Sequence, residues 1–218
     1  MIAGVDEVGR GPLAGPVVAC AVIMPPDLRA IAGVDDSKRL SRSERERLAV
    51  KIRERALGIG IGAASVREID RINIYQATVV AMRRALTRLG IVPHHVLIDG
   101  KPFRNLEIAH TAIVGGDNAC YTIACASIIA KVTRDRIMYA LAGRYPNYRW
   151  DRNVGYATLA HIEGMADHGV TPHHRRSFIP VRQLSLDFSS GSHTDIDLAE
   201  LTKLLSDASS IHDGPLTL

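Results

Sequence analysis

Two short apolar runs near the start of the chain, joined by a turn, constrain the fold more than any other feature. Residues 1–5 are mostly apolar, and residues 17–24 read VVACAVIM, a β-branched run that is short enough for a buried strand. The segment between them, GRGPLAGP, has the glycine and proline content of a turn. The chain is therefore predicted to open with two strands.

Strand-like and helix-like segments alternate after this opening. Further strands are predicted over 58–63, 95–99 and 108–114; the first alternates glycine with other residues, so its glycine face is expected to lie close to another element. Helices are predicted over 74–89, 118–144 and 156–168, and from residue 41 onwards, where Ser43 and Glu46 have capping-box spacing. This alternation indicates an α/β fold with a central mixed sheet flanked by helices.

The size and composition of the chain favour one cored domain with room for an appendage. It has 218 residues, 46% of them apolar, and no apolar run approaches the ~20 residues of a membrane span. No secretory signal is visible at the N-terminus. The three cysteines form no CxxC pair, which argues against a disulfide framework or a zinc site and favours a reducing, cytoplasmic location.

Charge is distributed unevenly along the chain. The net charge is +4, but six of the 23 acidic residues and only one of the 27 basic residues lie after residue 184. The preceding part therefore carries 26 basic and 17 acidic residues. A basic body suggests a polyanionic partner such as nucleic acid, although solvated lysines and arginines explain such a balance equally often.

Four carboxylates stand at the ends of strand-like segments or at the start of a helix. Asp6 is expected on the last position of the first strand, Glu7 in the turn beyond it, and Asp99 at the end of HVLID. Asp117 follows two glycines and is expected to cap the long helix. Each acid alone is more often a turn or cap residue, but an adjacent pair after an apolar strand favours a shared site.

If these acids converge, their mutual repulsion calls for cations. Carboxylate oxygens with no histidine or cysteine partner suit Mg²⁺ or Mn²⁺ rather than zinc. Two such ions about 4 Å apart are the usual arrangement for hydrolysing a phosphodiester. If they converge, the acids would suit a hydrolase of phosphodiesters that uses two divalent ions during catalysis.

Three further segments contain residues that suit contacts with nucleic acid. Gly9-Arg10-Gly11 would leave backbone amides open to a phosphate or a sugar, and Ser37-Lys38 places a hydroxyl and an ammonium before a helix. Tyr156, at a helix start, could stack on a sugar or a base. The structural alternatives are a tight turn, a solvated loop and a packed tyrosine.

Six separated motifs over about residues 1–180 resemble those of ribonuclease HII, the type 2 ribonuclease H, and occur in the same order. They are DEVGRGP from residue 6, DDSKRL from 35, LIDG from 97, GD at 116–117 with ASIIAKVTRD from 126, GYATLAH from 155 and HRRSF from 174. The resemblance implies a ribonuclease H-like fold with a helical C-terminal part. It also implies a metal-dependent endonuclease that cuts the RNA strand of RNA–DNA hybrids. In ribonucleotide excision repair, such an enzyme incises duplex DNA on the 5′ side of a single ribonucleotide and leaves 3′-hydroxyl and 5′-phosphate ends.

The same resemblance assigns the site residues motif by motif. The metal-binding catalytic acids would be Asp6, Glu7, Asp99 and Asp117. The ribose 2′-hydroxyl and its phosphate would be bound by Gly9, Arg10 and Gly11. Tyr156 would stack at the RNA–DNA junction, and Ser37 and Lys38 would contact phosphate. Val8 replaces the usual alanine, and Gly116-Asp117-Asn118 stands where a lysine-glycine-aspartate-alanine run is common. Asp135 is a rival for the fourth acid, but it lies about five helical turns beyond Asp117.

The composition changes near the C-terminus, and we expect a boundary after residue 182. Residues 1–182 would form the catalytic domain and 183–218 an acidic tail with a short helix over 196–205. Gln183, Leu184, Leu186 and Phe188 resemble the extended peptides by which bacterial replication and repair enzymes dock on the sliding clamp. The alternative is a final packed segment under the sheet. No membrane partner is expected, and the protein is expected to be a monomer.

Two other functional classes fit parts of the sequence. One is a nucleic-acid binder that kept the fold without cleavage, and the intact acids weigh against it. The other is a different metal nuclease on the same fold, such as a resolvase or an HIII-type ribonuclease. Cleavage at a lone ribonucleotide distinguishes the predicted activity from both.

Overall fold

The computed structural model describes residues 1–35 and 37–190, with side chains up to residue 184. Its elements, in chain order, are β1 (Ile2–Val8), β2 (Val17–Ile23), α1 (Arg42–Arg55), β3 (Gly58–Ala64), α2 (Val66–Thr87), β4 (His95–Asp99), β5 (His110–Ile113), α3 (Gly116–Ala119), α4 (Tyr121–Arg144), a 3₁₀ turn (Pro146–Tyr148), α5 (Trp150–Asn153), α6 (Leu159–His168) and α7 (Ile179–Ser190). Strands alternate with helices, as predicted, and the fold is α/β.

The five strands form one mixed sheet in the order β3-β2-β1-β4-β5. The pairings of β1 with β2 and of β2 with β3 are antiparallel. The pairings of β1 with β4 and of β4 with β5 are parallel. Because parallel strands end at the same edge of a sheet, β1 and β4 bring their C-terminal residues to one edge.

The chain divides into two compact units that interleave along the sequence. The sheet unit comprises residues 1–8, 16–64 and 74–134, and it contains all five strands. The helical unit comprises residues 9–15, 65–73 and the described residues from 135 onwards. The boundary predicted after residue 182 falls inside α7. None of the helices in the described ranges is long and apolar enough to cross a membrane.

One face of the sheet carries an apolar core of the sheet unit. Cys20 and Val22 of β2 pack there with Leu48 and Ile52 of α1 and with the apolar residues 125–132 of α4. All of these side chains are buried. Helices α1 and α4 therefore cover this face.

The glycines of β3 allow α2 to approach the opposite face closely. A Cβ atom on Gly60 would lie 1.9 Å from the carbonyl oxygen of Ala85, and one on Gly62 would lie 2.0 Å from that of Ala81. No side chain fits at such distances, which confirms that the glycine face of this strand lies against another element.

Arg84 of α2 and Arg88, which follows that helix directly, also bind the outer edge of β3. Arg84 Nη1 donates to the carbonyl of Ala63 at 2.7 Å, and Arg88 Nη1 donates to the carbonyl of Ile61 at 2.9 Å. Since β3 is the last strand of the sheet on this side, these carbonyls receive a side-chain donor in place of a neighbouring strand.

Helix α1 begins where it was predicted, but the predicted capping pair was wrong by two residues. The capping box is formed by Ser41 and Glu44: Glu44 N donates to Ser41 Oγ at 3.3 Å, and Ser41 N donates to Glu44 Oε2 at 2.9 Å. Ser43 and Glu46, which were predicted to form it, lie inside the helix. Both serines have a glutamate three residues later, so spacing alone did not distinguish them.

Candidate functional site

Asp6 and Asp99 lie beside one another at the shared edge of β1 and β4. The parallel register pairs Val5 with Ile98, so the next positions in that register are Asp6 and Asp99. Laterally adjacent residues in a sheet point to the same face, and α4 covers this face, because a Cβ atom on Gly4 would lie 2.3 Å from the backbone of Thr122. The predicted convergence of these two acids is therefore present in the backbone.

Glu7 lies inside β1 and not in the turn beyond it. The antiparallel pairing with β2 continues through Glu7 and Ala19 to Val8 and Val18, so the prediction of a strand break at Glu7 was wrong. Glu7 consequently points to the opposite face from Asp6, and its Oε2 atom is buried. The two residues remain linked, since Glu7 N donates to Asp6 Oδ1 at 2.7 Å.

The electrostatics of Asp6 show that negative charge is crowded at this edge. Burial raises the pKa of the Asp6 carboxyl well above its usual range, and the charges of Glu7 and Asp99 raise it further. A hydrogen bond with Ser127 of α4 opposes this shift. The ionised form of Asp6 is therefore costly until a cation accompanies it.

A buried pair of hydroxyls supports Asp6 from the side of α4. Ser37 Oγ and Ser127 Oγ are 2.8 Å apart, and each residue is 4% exposed. Arg45 Nη1 donates to the carbonyl of Ser37 at 3.0 Å and fixes the loop from behind. The contact of Ser37 with phosphate stays a prediction. The hydrogen bond between Ser37 and Ser127 joins this loop to the residue that hydrogen-bonds Asp6.

Asp117 lies in α3, a short helix that precedes α4. Gly115 has a φ of 68°, and Cys120 is extended, so the chain turns twice before the long helix begins. The prediction that Asp117 caps the long helix was therefore wrong. It is buried, and its Oδ2 lies 3.9 Å from the Nζ of Lys38, whose side chain is 79% exposed.

Asp99 is held by the backbone that leads into α3. Gly116 N donates to Asp99 Oδ1 at 2.7 Å. A Cβ atom on Gly116 would lie 3.3 Å from the same oxygen and 2.7 Å from Ile123 Cδ1, so glycine allows this approach. The carboxylate of Asp99 is thus oriented before any ligand arrives.

The donor chemistry of this edge fits hard divalent cations. Asp6, Glu7, Asp99 and Asp117 all belong to the sheet unit and offer only carboxylate oxygens. Over the described ranges, no group of three or more His, Cys, Asp or Glu side chains is already gathered closely enough to form a metal cluster. The carboxylates would thus have to draw together around a cation. Asp135, the predicted rival for the fourth acid, belongs to the helical unit.

The Gly9-Arg10-Gly11 turn is organised by Arg175, a residue of the HRRSF motif for which the sequence predicted no role. This fully buried side chain donates to the carbonyls of Gly9 (2.5 Å), Arg10 (2.8 Å) and Gly15 (2.8 Å). A trans peptide directs its N–H opposite to its C=O. The amides of Arg10 and Gly11 are therefore directed away from Arg175.

Tyr156 lies in the same helical unit as this turn. Leu13 N donates to the carbonyl of Gly155 at 2.8 Å, which joins the two segments. The predicted helix from residue 156 begins instead at Leu159, because Gly155 has a φ of 91° and Thr158 is extended. Tyr156 stands in the preceding turn with 41% of its surface exposed.

The clamp-like peptide lies on α7 in the structure. Leu184 is 4% exposed, and the backbone of residues 183–188 is helical where an extended conformation was expected. The side chains of Leu186 and Phe188 lie outside the described residues.

Comparisons with known proteins agree on one family. The family model described as Ribonuclease HII matches residues 3–181. A protein named Ribonuclease HII from Thermosynechococcus vestitus is 56% identical over 184 residues, which cover 82% of this chain and 83% of that protein. The ribonuclease H2 of Pyrococcus horikoshii OT3 superposes with a TM-score of 0.73 at 28% identity, covering 87% of this chain and 99% of that one. A ribonuclease HII solved in complex with PCNA, from Archaeoglobus fulgidus, has a TM-score of 0.72 at 27% identity and covers 84% of this chain and 96% of its own.

Proposed function

The chain belongs to the ribonuclease HII family, and from this membership we propose that it incises duplex DNA on the 5′ side of an embedded ribonucleotide and leaves 3′-hydroxyl and 5′-phosphate ends. As a ribonuclease H, it is a metal-dependent endoribonuclease that hydrolyses the RNA strand of RNA–DNA hybrids. The observation that carries the catalytic proposal is the position of Asp6 beside Asp99 at the shared edge of β1 and β4, where burial and the charges of Glu7 and Asp99 raise the pKa of Asp6.

The four acids of the sheet unit would hold two divalent ions, Mg²⁺ or Mn²⁺. When bound, such ions activate a water molecule and stabilise the leaving oxygen of a phosphodiester. Asp6 and Asp99 would be ligands from the shared strand edge, Glu7 from the same strand, and Asp117 from α3. The hydroxyl of Ser127 and the amide of Gly116 keep Asp6 and Asp99 oriented for this role.

Lys38 would place a positive charge beside the acids. Its ammonium is exposed and lies 3.9 Å from Asp117 Oδ2, so it can contact a phosphate while offsetting the charge of that carboxylate. Ser37, on the same loop, would contact phosphate as predicted or act through Ser127. In either role the loop couples the substrate to the acids.

The helical unit would supply the choice of cleavage position. By binding the carbonyls of Gly9 and Arg10, the buried Arg175 leaves the amides of Arg10 and Gly11 directed away from its own guanidinium. These amides would therefore suit a ribose 2′-hydroxyl and its phosphate. The Gly155–Thr158 turn presents Tyr156, which would stack where the ribonucleotide meets DNA. Because Glu7 and Gly9 are two residues apart, the chemistry and the readout are adjacent in the chain.

The decisive experiment is cleavage of a DNA duplex that carries one ribonucleotide, in Mg²⁺ and in Mn²⁺. The wild type should make one cut, 5′ of the ribonucleotide, and Asp99→Asn should reduce the rate by at least ~10³-fold while binding of the duplex persists. Asp27→Asn, a change of an exposed acid, is the matched control and should cut normally.

Three results would contradict the proposal. Retained cleavage by Asp99→Asn would remove the assigned acids. Cleavage of a hybrid without cleavage at a lone ribonucleotide would indicate an HIII-type specificity, and binding without any cleavage would indicate a non-catalytic binder.

We also propose that the chain docks on the bacterial sliding clamp through Gln183, Leu184, Leu186 and Phe188. The supporting observation is the sequence pattern, together with the archaeal relative that was solved with PCNA. Because Leu184 is buried in α7, docking requires this helix to release part of its last turns. Surface-immobilised clamp should bind the wild type and not a Leu186→Ala, Phe188→Ala variant; equal binding by both would exclude this peptide.

A further inference from the structure

We propose that His161 and His174 form a neutral imidazole pair that positions Tyr156, so that this pair contributes to recognition of the ribonucleotide junction. The inference rests on the proposed function, because it assumes that Tyr156 stacks at that junction. All of the residues involved belong to the helical unit.

His161 is fully buried, and each of its ring nitrogens has a defined neighbour. Nδ1 lies 2.8 Å from the carbonyl oxygen of Tyr156, and Nε2 lies 2.9 Å from the indole Nε1 of Trp150. A carbonyl oxygen only accepts, and an indole N–H only donates. His161 must therefore carry its proton on Nδ1 and accept at Nε2.

The tautomer of His174 follows in the same way. Its Nδ1 accepts from the backbone N–H of Thr171 at 2.9 Å, so its proton must be on Nε2. That Nε2–H is directed at His161 Nε2, 3.1 Å away. The lone pair of His161 thus faces two donors, from Trp150 and His174, and both imidazoles are satisfied only in the neutral state.

The result of this network is a fixed carbonyl at Tyr156. This oxygen accepts from His161 Nδ1 at 2.8 Å and from the backbone N–H of Thr158 at 2.8 Å. Tyr156 N in turn donates to the carbonyl of Asn153 at 2.9 Å. Both backbone groups of Tyr156 are held, while its ring remains partly exposed.

The turn needs this support because its backbone is unusual. Val154, a β-branched residue, has a φ of 44°, and Gly155 has a φ of 91°. Asn153 Oδ1 accepts from Gly155 N at 2.8 Å and steadies the same turn. L residues seldom adopt this backbone conformation, and it is maintained only where several contacts hold it in place. His161 supplies one of these contacts from α6.

Two substitutions at one position separate positioning from packing. In His161→Asn the side-chain amide nitrogen reaches the place of Nδ1 and can still donate to Tyr156. In His161→Gln the amide reaches the place of Nε2 and can still meet Trp150, while the bond to Tyr156 is lost. Both variants remove the ring, so they share any general loss of packing, which thermal unfolding measures.

The readout is the ratio of kcat/KM on a singly ribonucleotide-substituted duplex to kcat/KM on an all-RNA hybrid. We expect His161→Asn to keep the wild-type ratio within about twofold, and His161→Gln to lower it about tenfold, the value of one lost hydrogen bond. Equal ratios in the two variants would overturn the proposal and make His161 a packing residue.

A second measurement is independent of cleavage. Long-range ¹H–¹⁵N NMR spectra of ¹⁵N-histidine-labelled protein should show an Nδ1–H tautomer for His161 and an Nε2–H tautomer for His174. An Nε2–H tautomer or a charged ring at His161 near neutral pH would refute the proposed pair. If the wild type itself fails to cut at a lone ribonucleotide, the proposed function is wrong. If the wild type cuts there and His161→Gln keeps the wild-type ratio, the proposed function stands and only this inference is wrong.

Discussion

At the scale of single residues, the proposed catalytic role of Asp6 opposes the stability of the fold. Its raised pKa means that the folded state holds the proton more tightly than the unfolded chain does. The metal-free protein therefore loses stability as the pH rises from about 4 through the folded-state pKa, because the unfolded chain releases its proton first. At neutral pH the ionised carboxylate destabilises the metal-free fold.

We predict that Asp6→Asn stabilises the metal-free protein at pH 7 by on the order of 1–3 kcal/mol while abolishing cleavage, because it removes a buried charge. Thermal unfolding in the presence of a chelator measures the first effect. Addition of Mg²⁺ should stabilise the wild type and have little effect on the variant. An Asp6→Asn protein that is less stable than the wild type would show that the carboxylate is not strained.

The buried histidines predict a second pH dependence, of opposite sign. Burial lowers the pKa of His161 from 6.5 to about 4, and burial together with the neighbouring His161 lowers that of His174 to about 3. The unfolded chain takes up these protons first, so stability is complete above about pH 6.5 and is lost as the pH falls toward 4. His161 alone should account for about 3 kcal/mol of that loss.

Denaturant unfolding between pH 7 and pH 4 tests this dependence. His161→Asn should show a shallower decline than the wild type, because one titrating group is removed. His168→Asn, which changes an exposed histidine in the same helix, should decline as steeply as the wild type. Equal slopes in all three proteins would place the pH dependence elsewhere.

Single residues were predicted from the sequence where the chain itself places them, and not where tertiary contacts do. Asp6 and Asp99 could be predicted because each follows an apolar run of a strand, and the parallel pairing of β1 with β4 brings these positions to one edge. The face of the sheet to which Glu7 points depends on how far the pairing of β1 with β2 continues. The residues of β1 alone do not determine this length. Arg175 was missed as an organiser because its acceptors lie about 160 residues away in the chain.

At the scale of elements, the contact between β3 and α2 makes the next prediction. Gly60→Ala and Gly62→Ala should each lower the free energy of unfolding by about 2–4 kcal/mol, because the added methyl group meets a helix carbonyl at about 2 Å. Gly143→Ala is the matched control: this glycine is exposed in α4, with nothing within 4 Å of the added atom. It should stabilise the protein by up to about 1 kcal/mol, from helix propensity.

Urea denaturation of the three variants measures these changes. If Gly60→Ala and Gly62→Ala behave as Gly143→Ala does, then α2 can move away from the sheet without cost and the packing argument fails.

Element types were easier to predict from the sequence than element ends. The period of two in β3 was sufficient to identify a strand and its close face. The break between α3 and α4 was missed because the residues around Cys120 are compatible with a continuous helix, and only the backbone at Gly115 and Cys120 separates the two. The kink in α2 was missed in the same way, since it depends on Asn73 adopting a φ of 65°.

At the scale of the whole molecule, the charge of the chain predicts a salt-dependent role for the last residues. Residues 191–218 contain five acids and one base, so their removal raises the net charge from +4 to +8. A chain that ends at Ser190 should bind an RNA–DNA hybrid about two- to fivefold more tightly at low salt, and the gain should vanish at high salt. A full-length variant with Asn or Gln at these acids should behave in the same way.

Fluorescence anisotropy with Asp99→Asn proteins, which should bind without cutting, measures these affinities across a salt series. A gain in the truncated chain that is absent from the neutralised full-length chain would assign the effect to length and not to charge.

The division into two units is the feature of the whole molecule that the sequence did not reveal. The alternation of segments predicted one α/β domain, and the sheet unit meets that expectation. The GRG turn, however, leaves the sheet unit between two of its own strands and joins residues that follow 134. Interleaving of this kind depends on long-range hydrogen bonds such as those of Arg175, which have no local signature in the sequence.

The arginines along β3 have a consequence for the protein as a solute. An open sheet edge is a template on which a second chain can add a strand, and repeated addition leads to aggregates. Arg84 and Arg88 occupy the carbonyls of Ala63 and Ile61 that such a strand would need, and they place two positive charges where it would approach. The side chains that brace α2 against the sheet thereby also protect the protein from polymerising through its own edge, including while it is concentrated on a polyanion.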